Sequence, residues 1–236
     1  MKALFPRVPP RAPLEAVFLN TSGGLTGGDK MRIAAEAREG AHLTVSSQAA
    51  ERVYRAPPGP DAEVDVTLKI GAGSRIDWLP QETIIFDGGA VSRRMTIDIA
   101  DGAKALVLEP VILGREAMGE TLREARFRDR WTLRREGRVV FADALRLDGD
   151  PTALMRRPGI AGGARAWASI LFAAADAEAR VQPLRDLIGR AGGVSLIRDN
   201  ILFARILAPD GYDLRRVLIP VVERLSGAAL PKVWRL

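Results

Sequence analysis

The chain has 236 residues, enough for one large domain with its own hydrophobic core or for two small ones. It contains no cysteine and a single histidine, which excludes disulfides, zinc–thiolate sites, iron–sulfur clusters and a cysteine nucleophile. The net charge is +6, and thirty of the 35 basic residues are arginine, so an acidic protein and a nucleic acid are both admissible partners.

Pro6, Pro9, Pro10 and Pro13 interrupt the N-terminus, which therefore lacks the continuous apolar stretch of a signal peptide. No window approaches the roughly 18 apolar residues of a membrane-spanning helix. A cytoplasmic protein with no membrane partner is expected.

Next along the chain comes a repeat. Gly40-Ala41, Gly71-Ala72 and Gly102-Ala103 recur at a spacing of 31 residues. The segments before them align without a gap: Ile33 with Val64 and Met95, Ala35 with Val66 and Ile97, Ala37 with Leu68 and Ile99. Apolar residues occupy every second position, the period of a strand with one buried face. Glu39-Gly40 and Asp101-Gly102 are turn dipeptides. Second apolar stretches follow at 43–45, 76–79 and 105–108, and a degraded fourth unit runs from Phe127 through a Glu136-Gly137 turn to Leu145. Repeats of this length stack, each burying its neighbour's open face. The pattern predicts a mainly β fold, a β-solenoid-like (β-helical) stacked repeat, with a few short helices near the C-terminus.

The last third changes character. Residues 183–190 suit a short helix with Pro183 in its first turn. Residues 194–197 and 201–206 read as strands. Leu214, Val217, Leu218, Val221, Val222 and Leu225 form a helical stripe, which Pro220 is expected to kink or shorten. No low-complexity linker divides the chain, so residues 1–236 are expected to form one domain.

Chemistry is sparsely represented. His42 alone could shuttle a proton, and it reads as a structural residue on a strand. The run from Asn20 to Lys30 fails as a phosphate loop, because Asp29 stands where lysine is needed, and GAGSRI at 71–76 lacks the third glycine of a dinucleotide fingerprint. Asp29, Glu51, Glu82, Asp87, Glu109, Glu116 and Glu120 offer only oxygen ligands, fit for weak, transient binding of a divalent ion. Glu82 and Asp87 could alternatively serve a carbohydrate-active solenoid enzyme as paired carboxylates. Between Arg123 and Arg138 lie seven arginines. On a strand, Arg126, Arg128, Arg130 and Arg134 share one face, fit to dock an acidic partner, while Phe127, Trp131 and Leu133 share the other. With 6% aromatic residues and no recognition motif, nucleic acid is not expected.

Four segments carry a resemblance. NTSGGLTGGD (20–29), SSQAAERVYR (46–55), WLPQETIIFDG (78–88) and LEPVILGREAMGE (108–120), in this order, resemble the UreD (UreH) family of urease accessory proteins. The resemblance is firmest from residue 14 to 146 and returns in the ending PKVWRL. It implies an elongated β-solenoid that turns over no substrate. It further implies binding to urease apoprotein, UreF and the GTPase UreG, and support of nickel insertion, with no tightly bound cofactor and only transient Ni2+. Asn20, Asp29, Gln48, Glu51, Gln81, Glu82, Asp87, Glu109 and Glu120 become candidates for lining a nickel route. Family members usually carry a further stretch before the region that begins here at Met1, and the sequence leaves open whether the first edge of the sheet is complete.

Overall fold

The computed structural model describes residues 1–10, 12–38, 40–115 and 118–235. Glu39, half of a predicted turn dipeptide, and Glu116, one of the oxygen-ligand candidates, lie outside the described residues. The strands run β1 (Lys2–Leu4), β2 (Leu14–Leu19), β3 (Lys30–Ala37), β4 (His42–Ser47), β5 (Glu51–Val53), β6 (Ala62–Ile70), β7 (Arg75–Leu79), β8 (Thr83–Ile85), β9 (Gly89–Ile99), β10 (Lys104–Leu113), β11 (Ala125–Arg135) and β12 (Arg138–Gly149). After these come α1 (Pro151–Arg156), β13 (Ala166–Ala173), α2 (Ala177–Ile188), β14 (Gly192–Arg198), β15 (Ile201–Ala208) and α3 (Gly211–Ser226).

Among the described residues the strands make two facing sheets. The first is ordered β1-β2-β4-β7-β10-β13-β15-β14, with β5 and β8 set beside β10, and the second β12-β11-β9-β6-β3. The chain alternates between them, so β2, β4, β7 and β10 stack in parallel, as do β3, β6, β9 and β11. This is a β-solenoid of about four coils, mostly β, with a few short helices mostly near the C-terminus.

The register corrects the gapless alignment read from the sequence. Ile33 pairs with Val66, not Val64, and Val66 pairs with Met95. The coils are offset by 33 and then 29 residues, which average to the apparent 31. A slip of two residues leaves every side chain on its own face, so alternation alone could not detect it. The corner glycine of the middle coil is accordingly Gly73, whose φ of +67° matches Gly40 at +76° and Gly102 at +71°. Glycine reaches this left-handed region without the Cβ clash that other residues suffer.

The fourth unit also departs from expectation. β12 does not cross to the first sheet but folds back antiparallel on β11. Glu136 (φ +50°) and Gly137 (φ +75°) form a tight hairpin with both central residues left-handed, the geometry that matches strand twist.

Two apolar cores result. One lies between the sheets and includes Val66, Leu68, Trp78, Ile97, Phe127, Trp131 and Trp167. The other lies between the outer face of the first sheet and the helices, and includes Leu106, Leu108, Ile170, Phe172, Leu184, Leu218 and Val222. The strand β13, buried on both faces, separates them. The second core overrides two proline expectations. α2 begins at Ala177, with Pro183 in its interior, and α3 continues past Pro220 to Ser226. An interior proline costs about 3 kcal/mol, which burial of Leu214, Leu218, Val221, Val222 and Leu225 on one face of α3 can offset.

Candidate functional site: an interior cavity ending at a buried arginine

The first three coils are not filled. Between the sheets lies a cavity of about 200 Å³, walled by Phe18, Met31, Ile33, Val64, Val66, Trp78 and Val91 and carrying polar groups at Asn20, Ser47, Gln48, Glu51, Gln81, Thr83, Arg93 and Glu109. Phe18 stacks on Trp78 at 5.5 Å between ring centroids to form one wall.

Glu51 stands on the outer, half-exposed side. Its oxygens accept from Asn20 Nδ2 at 3.0 and 3.2 Å, and one also accepts from the Arg52 N–H at 3.0 Å. Burial pushes its pKa up, against the pull of the Asn20 hydrogen bond.

At the inner end, alternation along β9 turns Arg93 toward the core between Val91 and Met95. Arg93 is 7% exposed. Its Nη1 donates to Glu109 at 2.5 Å and to Thr83 Oγ1 at 3.1 Å, and its Nη2 donates to Asp129 at 2.6 Å. The indole of Trp78 donates to the other Glu109 oxygen at 2.8 Å, and that of Trp131 to Asp129 at 3.3 Å. Burial pushes the Glu109 carboxyl above its ordinary range, against the pull of Arg93, and nearby Asp129 adds to the push. The cluster thus gathers two carboxylates around one cation inside an apolar shell.

The other carboxylates singled out in the sequence sit elsewhere. Asp29 is exposed and accepts from the Thr26 N–H at 2.8 Å, closing its own turn. Glu82 is buried and forked by Arg215 of α3, at 2.5 and 2.8 Å. Beside it Gln81 bonds Arg215, Gln48 O and Val233 O, and the Trp234 indole donates to Leu79 O at 3.0 Å. The C-terminal segment therefore clamps the cavity wall from outside. Asp87 accepts from the N–H groups of Arg123 (2.8 Å) and Glu124 (3.1 Å) and pairs with Arg55. Glu120 accepts from the N–H groups of Arg115 (3.0 Å) and Asp87 (3.3 Å). Burial would raise both acids, but the N–H donors and arginines outweigh it and hold them below the ordinary range.

Glu82 and Asp87 are engaged by different partners, Arg215 for the first and Arg55 with the 123–124 backbone for the second. Among the described residues, no group of three or more His, Asp or Glu side chains is arranged to hold a metal ion. His42 bonds the buried Asp77 at 2.8 Å, and Arg75 ties the same Asp77 to the C-terminal turn of α3. No helix among the described residues is long and apolar enough to cross a membrane.

The outer face of the second sheet carries Arg126, Arg128, Arg130 and Arg134. Arg126 and Arg128 share Asp61, at 2.8 and 3.4 Å. The side chains of Arg130 and Arg134 are exposed and make no hydrogen bond or ion pair with a described residue.

Comparison with known proteins decides the family. The family model described as UreD urease accessory protein matches residues 1–235. The chain is 47% identical to the urease accessory protein UreD of Roseobacter denitrificans, covering all of this chain and 86% of the relative. It is 45% identical to UreD of Ruegeria pomeroyi, over 99% of the chain and 90% of the relative, and 46% identical to UreD of Rhizobium rhizogenes, over 94% and 82%. The chain belongs to the UreD urease accessory protein family. UreD relatives are named as accessory proteins and not as enzymes, which supports a non-enzyme role over the carbohydrate-enzyme alternative. Membership gives the chain a role in urease maturation.

Arg93, Asp129, Trp78 and Arg215 were not singled out from the sequence as site residues. A signal was present for two of them: Arg93 and Asp129 occupy inward positions of otherwise apolar alternation, between Val91 and Met95 and between Phe127 and Trp131.

Proposed function

We propose that this UreD-family chain binds urease apoprotein together with UreF and the GTPase UreG in the cytoplasm, and that nickel ions reach urease through its interior. The observation that carries the reading is the cavity, which joins a half-exposed Glu51–Asn20 side to Glu109 within the solenoid. Carboxylate and amide oxygens bind nickel more weakly than imidazole or thiolate, so an ion held by them remains free to leave. Cargo passing along such a wall needs no resident cofactor.

Of the carboxylates, Glu51 and Glu109 are the route residues in this reading. Asp29, Glu82, Asp87 and Glu120 hold the loops and strands that shape the cavity. The unpaired Arg130 and Arg134, with Arg126 and Arg128 beside them, form the face that docks an acidic partner surface.

The experiment is a maturation assay in cells that make urease, with this chain deleted, restored, or restored as Glu51→Gln. Deletion should leave urease largely nickel-free, and Glu51→Gln should lower nickel loading while the chain still co-purifies with apoprotein. Full nickel loading in the deletion strain would refute the proposal.

A further inference from the structure

The cavity stops at Arg93, yet polar groups continue beyond it. Asp129, on the far side of the guanidinium, does not line the cavity. Glu109 is the register partner of Ser169 on β13, and Ser169 that of Arg205 on β15. Arg205 reaches Ser169 Oγ at 3.4 Å and Asp143 at 2.6 Å, where the pair is again partly exposed. An interior row of polar side chains therefore crosses the apolar space between the sheets, and Arg93 stands in the middle of it.

Arg93 has two properties that a purely structural arginine need not have. Its Nη atoms hold both interior carboxylates, Glu109 from one sheet and Asp129 from the other. Its Nε is buried and donates to no acceptor among the described residues. A buried donor without an acceptor costs roughly 1–3 kcal/mol, so the two carboxylates hold the guanidinium in a placement that leaves one of its donors unsatisfied.

The geometry points to Arg93 as a tethered cation that closes the inner end of the cavity and competes with a divalent metal ion for Glu109 and Asp129. The inference rests on the reading of the cavity as a cation route. A mobile dication arriving from the Glu51 side meets carboxylates already neutralised by the guanidinium. It gains them only as Arg93 swings away, and the return of Arg93 expels it. Arg93 is thus a positioning residue that keeps the site weak and sets where the ion halts.

The test is equilibrium dialysis of Ni2+ alone against the purified full chain, as wild type, Glu51→Gln, Arg93→Gln and Arg93→Lys, with tryptophan fluorescence as the locator. Trp78 donates to Glu109, so nickel held there should quench its emission. Arg93→Gln should bind Ni2+ at least tenfold tighter than wild type, with quenching that wild type lacks at the same concentration. A folded Arg93→Gln protein with wild-type affinity overturns the inference. If Arg93→Gln does not fold, Arg93→Lys decides: its one compact ammonium cannot hold the two carboxylates on separate nitrogens as the guanidinium does, so it should compete less well and Ni2+ should bind about threefold tighter, and unchanged affinity again overturns the inference. If wild type binds and Glu51→Gln weakens binding while the Arg93 variants change nothing, only the role of Arg93 falls. If none of the four proteins binds Ni2+, the cation route falls with it.

Discussion

Arg93 and Asp129 are register partners on adjacent coils, joined Nη2 to carboxylate at 2.6 Å, while Glu109 approaches the same guanidinium from the opposite sheet. Both sheets are thereby pinned through one buried cation, in a stretch of core that holds the Phe127, Trp78 and Trp131 rings.

That arrangement is asymmetric. Removing Arg93 leaves two buried carboxylates facing each other, whereas removing Asp129 leaves a matched Arg93–Glu109 pair. Arg93→Met should therefore cost about 3–5 kcal/mol, and Asp129→Asn clearly less. Urea denaturation followed by tryptophan fluorescence measures both, and equal losses would contradict the charge count.

The clamp on the cavity wall makes a second prediction. Arg215→Ala strands Glu82, whose side chain is 4% exposed, without its counter-charge. A loss of about 3 kcal/mol is expected, with faster tryptic release of the C-terminal segment that holds Trp234. Wild-type protection of that segment would show that Arg215 is dispensable there.

Acid should loosen the Asp87–Glu120 loop before it unfolds the rest. Both carboxyls titrate below their ordinary values in the folded chain, so the stability they contribute is present above the unfolded range near pH 4. It is lost as pH falls through the folded values. Asp87→Asn and Glu120→Gln together should flatten the stability profile between roughly pH 4.5 and pH 2.5. A profile as steep as wild type would place the acid-sensitive groups elsewhere.

The corrected register is testable at a single glycine. Gly73→Ala forces a Cβ into a left-handed corner and should cost about 1–2 kcal/mol in thermal or urea denaturation. A neutral effect would return the corner to Gly71, as the gapless spacing implied.

Much of this architecture was legible because a strand has a period of two. Ile33, Ala35, Leu68 and Ile97 announce an inner face by alternation, and the coils follow from their recurrence. The exact register was hidden by the same period, since Val64 and Val66 are equally apolar and only the turn geometry separates them. The hairpin of β12 was hidden because Val139, Phe141 and Leu145 alternate whether they cross to the other sheet or fold back. The cavity was partly legible. Glu51 and Glu109 stood within distinctive segments, but so did Asp29, Asp87 and Glu120, and the sequence did not separate acids that anchor turns from acids that line a space. Arg215 lies 133 residues from Glu82, a pairing no local pattern discloses.

The most direct test of the cavity's role is a substitution that fills it. Ala50 lines the cavity, and Ala50→Trp would occupy the space beside Glu51. The decisive quantity is nickel per urease active site in cells carrying this variant, measured alongside its recovery with apoprotein. A route through the interior predicts an intact complex whose urease carries little more nickel than in the deletion strain. Normal nickel content with the complex intact would mean that the metal reaches urease by another path.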